Sequence, residues 1–127
     1  MKILTSLLLS AYLLMGSEIS WYHDFGAGLK AASLSNKKVV LMLSAEHCKV
    51  CNTMKKTVFT DKDVITKQNK KFISVMLDVK KDKVPENIKV FGTPSFYLLS
   101  AKGEIIDTKI GGSNLYGWNK HLNKISQ

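Results

Sequence analysis

Arginine is absent. All 19 basic residues of the chain are lysine, set against 10 acidic residues, for a net charge of +9. Without the planar guanidinium fork, bidentate recognition of phosphates and guanine edges loses its usual residue. Specific nucleic-acid binding is therefore disfavoured. The dispersed lysines read as a solvated basic surface, or as steering toward acidic partners or an anionic membrane. Proline is scarce at 2 residues, while 45% of the chain is hydrophobic. That balance builds a core and excludes an intrinsically disordered chain. At 127 residues the length suits one domain. No internal repeat or low-complexity tract is visible.

Long apolar runs are also lacking. The longest, Ile3 to Met15, is interrupted by Thr5, Ser6, Ser10 and Tyr12. It falls short of the about 20 residues that span a bilayer as a helix. With Lys2 before it and Gly16-Ser17 after it, the stretch has the pattern of an export signal. The residues before Gly16 are Leu14 and Met15, larger than a cleavage site prefers. Residues 1–17 are therefore expected to be a signal peptide or an uncleaved N-terminal anchor, with one domain over 18–127 in the periplasm or another extracytoplasmic space.

Cysteine is limited to 2 residues, Cys48 and Cys51. With His47 they are too few well-spaced ligands for a closed zinc site, and no metal or other cofactor is expected. As a structural staple the pair would close a very short loop and add little stability. The spacing suits thiol–disulfide exchange better. Lys38 to Leu43 reads as a buried strand before the pair, and Asn52 to Lys56 as the start of a helix after it. A helix N-terminus lowers a thiol pKa through its unpaired N–H groups and partial positive charge. Cys48 takes that position and is assigned as the nucleophile. Cys51, three residues on, lies on the same helix face and is assigned as the resolving cysteine. Lys49 and His47 read as pKa tuners of Cys48 or as exposed polar residues. Glu46 reads as a proton carrier or a solvated loop residue.

The remaining elements follow from periodicity and caps. Trp21 to Ser35 reads as a first helix with Asp24 as N-cap, weakened by Gly26 and Gly28. Val39 to Leu43 and Phe72 to Val79 are continuous apolar runs, as in strands covered on both faces. The helix of the cysteine pair runs to about Val58, and another covers Asp63 to Asn69. Pro85 suits the first turn of a short helix through Val90. Ser95 to Leu99 and Glu104 to Ile110 form a hairpin, and Ser113 caps a last helix to Ile125. The order is α-β-α-α-β-α-β-β-α, an α/β fold with a mixed sheet of about four strands and helices on both faces. Trp21, Trp118, Phe72, Phe91, Phe96, Met54 and Met76 read as core. His121 reads as surface, and His23 has no evident partner.

The stretch from Val39 through Cys51, with Phe59-Thr60-Asp61, Leu77-Asp78-Val79 and Phe91-Gly92-Thr93-Pro94-Ser95-Phe96, resembles the thioredoxin-like superfamily. Within it the chain is most similar to small exported thioredoxin-like proteins and to the C-terminal domain of the bacterial thiol:disulfide interchange protein. The resemblance covers everything after the signal. It implies a thioredoxin fold in which Pro94 is a cis-proline beside the cysteine pair, and Thr93 offers backbone hydrogen bonds to a substrate segment added as a strand. An ordinary turn proline is the alternative. The chain departs from thioredoxin at three places. His47 stands where thioredoxin has Trp, Lys49-Val50 replace Gly-Pro, and Met42 replaces a buried Asp.

The resemblance implies an exported thiol:disulfide oxidoreductase acting on cysteines of other exported proteins. Dedicated oxidases of this fold carry a helical insertion, and Asp61 to Phe91 is too short for one. Dedicated isomerases carry an added dimerisation domain. A monomeric reductase or electron relay served by a membrane thiol donor remains. The alternatives are a non-catalytic module that holds a partner protein or a metal ion through the two thiols, and a membrane-tethered chaperone-like subunit.

Overall fold

The computed structural model describes residues 17–127. The signal or anchor assigned to 1–17 lies, save for Ser17, outside the described residues. Among the described residues nine elements follow in chain order: β1 (Trp21–Tyr22), α1 (Phe25–Ser35), β2 (Lys38–Ser44), α2 (Lys49–Thr57), α3 (Lys62–Lys71), β3 (Phe72–Asp78), β4 (Ser95–Leu99), β5 (Ile105–Ile110) and α4 (Leu115–Ile125). The sheet has five strands in the order β1-β3-β2-β4-β5. β1 and β2 run parallel to β3, whereas β4 runs antiparallel to β2 and β5.

The continuous apolar runs behave as buried strands should. Along β2, Val40 and Met42 face one cluster, while Val39, Leu41 and Leu43 face the other. α2, α3 and α4 supply the first cluster through Met54, Val64, Ile65, Trp118 and Leu122. α1 supplies Ala32 to the second. Gly28 lets α1 approach, because a Cβ there would lie 2.3 Å from Val75 Cγ2. The glycine that weakens the helix by propensity is required by packing.

Several sequence expectations change, the strand count of about four included. The N-terminal helix does not begin at Trp21. Trp21 and Tyr22 pair with Ser74 and Val75 as a fifth strand, and the helix starts only after Asp24, whose carboxylate accepts from Ala27 N–H at 2.8 Å. Pairing with β3 claims Trp21-Tyr22, two residues of high strand propensity, while Gly26 and Gly28 lie inside the helix that does form. The segment opened by Pro85 makes one turn, Ile88 N–H to Pro85 O at 3.0 Å, and no helix. Burial of Ile88 and a bond from Tyr97 Oη to Lys89 O at 2.5 Å hold it as a loop. Asn114, not Ser113, caps the last helix, accepting from Gly117 N–H at 2.9 Å. Phe91 is 63% exposed and is not core.

His121 is half-buried rather than on the surface, its ring 5.3 Å from that of Trp118. Burial first, then the positive charge of Lys109, holds its pKa below the ordinary 6.5, with Lys124 adding to the shift and Asp107 opposing it. The folded state thus binds this proton less readily than the unfolded chain. Stability is complete above the unfolded pKa of about 6.5 and declines as pH falls through it. Urea melts of His121→Gln are expected to show a flatter stability profile between about pH 7 and pH 5 than the parent. An equal slope in both proteins would remove His121 as the cause.

Candidate active site

β2 ends at Ser44, and Ala45-Glu46-His47 turn the chain toward α2. Cys48 N–H closes this turn by donating to Ala45 O at 3.3 Å. Cys48 is the N-cap of α2, with φ −86 and ψ 102, and its Sγ accepts from Cys51 N–H at 3.1 Å. Ser, Thr, Asp or Asn usually fills this role, because the first N–H groups of a helix have no partner within it. Here a sulfur takes their place, and a thiolate would accept such a bond more strongly than a thiol. Cys48 and Cys51 are joined as a disulfide with a Cα–Cα distance of 5.2 Å.

The two sulfur-bearing residues differ in access. Cys48 is half-buried, whereas Cys51 is fully buried in the cluster that also holds Met42 and Met54. An incoming sulfur therefore meets Cys48. A cleft at this point is lined by Ala45, Glu46, His47, Cys48, Asp78, Lys80, Lys81 and Thr93. Thr93 is half-buried, Pro94 is buried, and the peptide bond between them is cis. His47 and Lys49 are exposed. Glu46 is exposed too, and its carboxylate pairs with Lys81 Nζ at 3.0 Å. That bond raises the Lys81 pKa, although an ion pair in open solvent adds little stability.

Sequence reasoning misses several contributors. Asp78 Oδ1 accepts from Lys80 N–H at 2.8 Å and Lys81 N–H at 3.1 Å. The Lys80 bond is the chief reason its carboxyl titrates below the ordinary value. Asp78 thereby shapes the loop that brings Lys81 to Glu46. Gly112 is the second omission. A Cβ on it would lie 2.3 Å from Val50 Cγ1 and 3.7 Å from Pro94 Cγ. The chain after β5 is held there by Gly111 N–H donating to Pro94 O at 2.9 Å. The cysteine helix, the proline turn and the Gly111-Gly112 loop thus converge, with Val50 50% and Phe91 63% exposed beside them. The glycine pair in the sequence marks a turn but does not say what the turn packs against.

Among the described residues no three His, Cys, Asp or Glu side chains converge as a metal site requires. No helix there is long and apolar enough to cross a membrane.

A sequence profile described as a thioredoxin-like domain matches residues 25–125. No protein of curated function matches the chain. Among solved structures it is similar to a thioredoxin from Thermus thermophilus, at 22% identity and a TM-score of 0.72, over 85% of this chain and 87% of that one. It is also similar to the DsbH oxidoreductase, at 14% identity and a TM-score of 0.69, over 87% and 86%. The oxidised C-terminal domain of DsbD from Neisseria meningitidis aligns at 20% identity and a TM-score of 0.61, over 80% and 97%. At these identities the likeness is one of fold.

Proposed function

Because the chain belongs to the thioredoxin-like domain family, we propose that it is a thiol:disulfide oxidoreductase working through Cys48 and Cys51. The observation that carries this is the asymmetry of the pair: a half-buried Cys48 whose sulfur takes a helix N–H, and a Cys51 closed off in the core. In the reducing direction, the Cys48 thiolate attacks one sulfur of a substrate disulfide. A mixed disulfide forms and the other substrate sulfur leaves as a thiolate. Cys51 then gives up its proton and attacks Cys48 Sγ, which restores the Cys48–Cys51 bond and releases the second substrate thiol. Two electrons pass from the dithiol to the substrate. Thr93, before Pro94 at the cleft, presents backbone to an extended substrate segment. Exposed Lys49 places positive charge near the thiolate, screened by solvent, and exposed His47 adds to it only in its protonated form. Met42 is fully buried where thioredoxin has its buried acid, and the exposed Glu46 is engaged by Lys81. Neither residue is therefore placed as a base for Cys51, and its proton passes to the substrate thiolate released in the first step.

Residues 1–17 act as an export signal or anchor, and the substrates are cysteines of other exported proteins. The work is reductase or relay work fed by a membrane thiol donor. In support, the connection from Asp78 to Ser95 holds no inserted helix. The test is the equilibrium potential of the couple against glutathione, together with insulin reduction. A reductase should lie near the thioredoxin value of about −270 mV. A potential near about −120 mV, as in strong oxidants, would sink the reductase direction. No insulin reduction at all would favour the non-catalytic module.

A further inference from the structure

The end of the sheet away from the disulfide gathers lysines from separate elements. β2 and β3 both start at one pole, with Lys38 level with Phe72, and both run toward the disulfide at the other. At the starting pole Lys38 and Lys71 line one depression, and Lys38 and Lys124 line its neighbour. Lys37 precedes Lys38, and Lys70 precedes Lys71. Of the acids at this end, Asp107 is paired with Lys124 at 3.8 Å, and Glu18 and Glu104 are exposed. Lysines at helix ends offset the helix dipole, which accounts for Lys70, Lys71 and Lys124. Lys37 serves a helix end too, through its bond to the last turn of α3, whereas Lys38 opens β2 and has no such reason to be there.

The N-terminal segment reaches the domain at this same pole. Asn69 Nδ2 donates to Glu18 O at 2.9 Å, and Asn69 Oδ1 accepts from Ser20 N–H at 3.0 Å. The backbone of Asn69 also accepts from Lys37 Nζ at 3.3 Å. One residue thus clamps the chain beside Lys37, Lys70 and Lys71. In the sequence, the apolar stretch Ile3 to Met15 comes just before the clamped residues Glu18 and Ser20. We infer that the lysine pole is a docking face for an anionic membrane surface, which leaves Cys48 directed away from the lipid. The occupant follows from charge complementarity and from the apolar residues that precede Glu18 in the sequence. It holds whether or not the thiols are catalytic.

Vesicle sedimentation of the full chain tests this, using phosphatidylcholine with and without phosphatidylglycerol. The apolar segment contributes to both, so the difference isolates the headgroup charge. Each lysine at such a surface is worth about fivefold in binding. Replacing Lys38, Lys70 and Lys71 together by Gln should lower the phosphatidylglycerol-dependent binding about 100-fold. The matched triple Lys80, Lys83 and Lys89 to Gln, in the loop after β3, should lower it only a few-fold at most. After reduction, Cys48 of vesicle-bound protein should still react with a bulky maleimide. Equal losses from both triples, no dependence on phosphatidylglycerol, or protection of Cys48 on binding would each overturn the assignment. So would tight, triple-sensitive binding to polyglutamate without vesicle binding, which would give the pole to an acidic protein.

Discussion

Cys51→Ser is expected to stop the reaction halfway. With the resolving sulfur gone, Cys48 attacks a substrate disulfide and stays attached to it. Turnover in insulin reduction should fall on the order of 10³-fold or more, because the two cysteines act as one unit. A covalent adduct of protein and substrate should accumulate toward one equivalent, visible by mass spectrometry and lost on adding dithiothreitol. Cys48→Ser should lose turnover as fully and form no adduct, because Cys51 is fully buried. The pair of variants separates exchange chemistry from a passive disulfide. A Cys51→Ser protein that turns over normally, or a Cys48→Ser protein that captures substrate on Cys51, would reverse the assigned roles.

Trp118→Ala should be the most damaging change to stability away from the cysteines. Trp118 is fully buried, and its ring meets Phe59 at 5.3 Å and Phe96 at 4.7 Å. Phe59 in turn meets Trp21 at 5.2 Å, so one aromatic row ties α4 to β4 and to the first strand. The indole N–H donates to Gln68 Oε1 at 3.1 Å, and Gln68 Nε2 donates to Ser74 Oγ at 3.0 Å. Gln68 is fully buried, so its amide depends on these two partners. Truncation to Ala removes the ring and leaves the Gln68 oxygen unpaired. The expected loss is about 3–5 kcal/mol in urea denaturation. Trp118→Phe keeps most of the packing and should lose about 1–3 kcal/mol, the cost of the orphaned amide oxygen. A loss below about 1 kcal/mol for Trp118→Ala would mean that the site collapses freely and the row is not a keystone. The row also touches function, since Phe96 anchors β4 two residues after Pro94.

Local sequence carries whatever depends on neighbours in the chain. Val39 to Leu43 is apolar at every position, and a strand buried on both faces needs no alternation. Asp24 is legible as a cap because a cap bonds N–H groups two or three residues away. The spacing of Cys48 and Cys51 marks a couple within one helical turn, and the disulfide joins those two residues. What was not legible depends on remote partners. Trp21-Tyr22 is a strand only because β3 lies beside it. Phe91 looks like core from its ring and is exposed because the loop turns it outward. His121 looks polar and is half-buried because Trp118 lies against it.

By itself the sequence determined the order of most helices and strands, the position of the couple at a strand-to-helix junction, and which cysteine caps the helix. Those are short-range matters of periodicity, capping and spacing. Tertiary structure alone decided that Cys48 is reachable and Cys51 sealed. It brought Gly112 and Pro94 to the cysteine helix, engaged Glu46 with Lys81, and gathered lysines from separate elements at the far pole. The physical reason is the same each time. Burial, close approach and surface charge belong to segments distant in the chain, and only the sheet order brings those segments together.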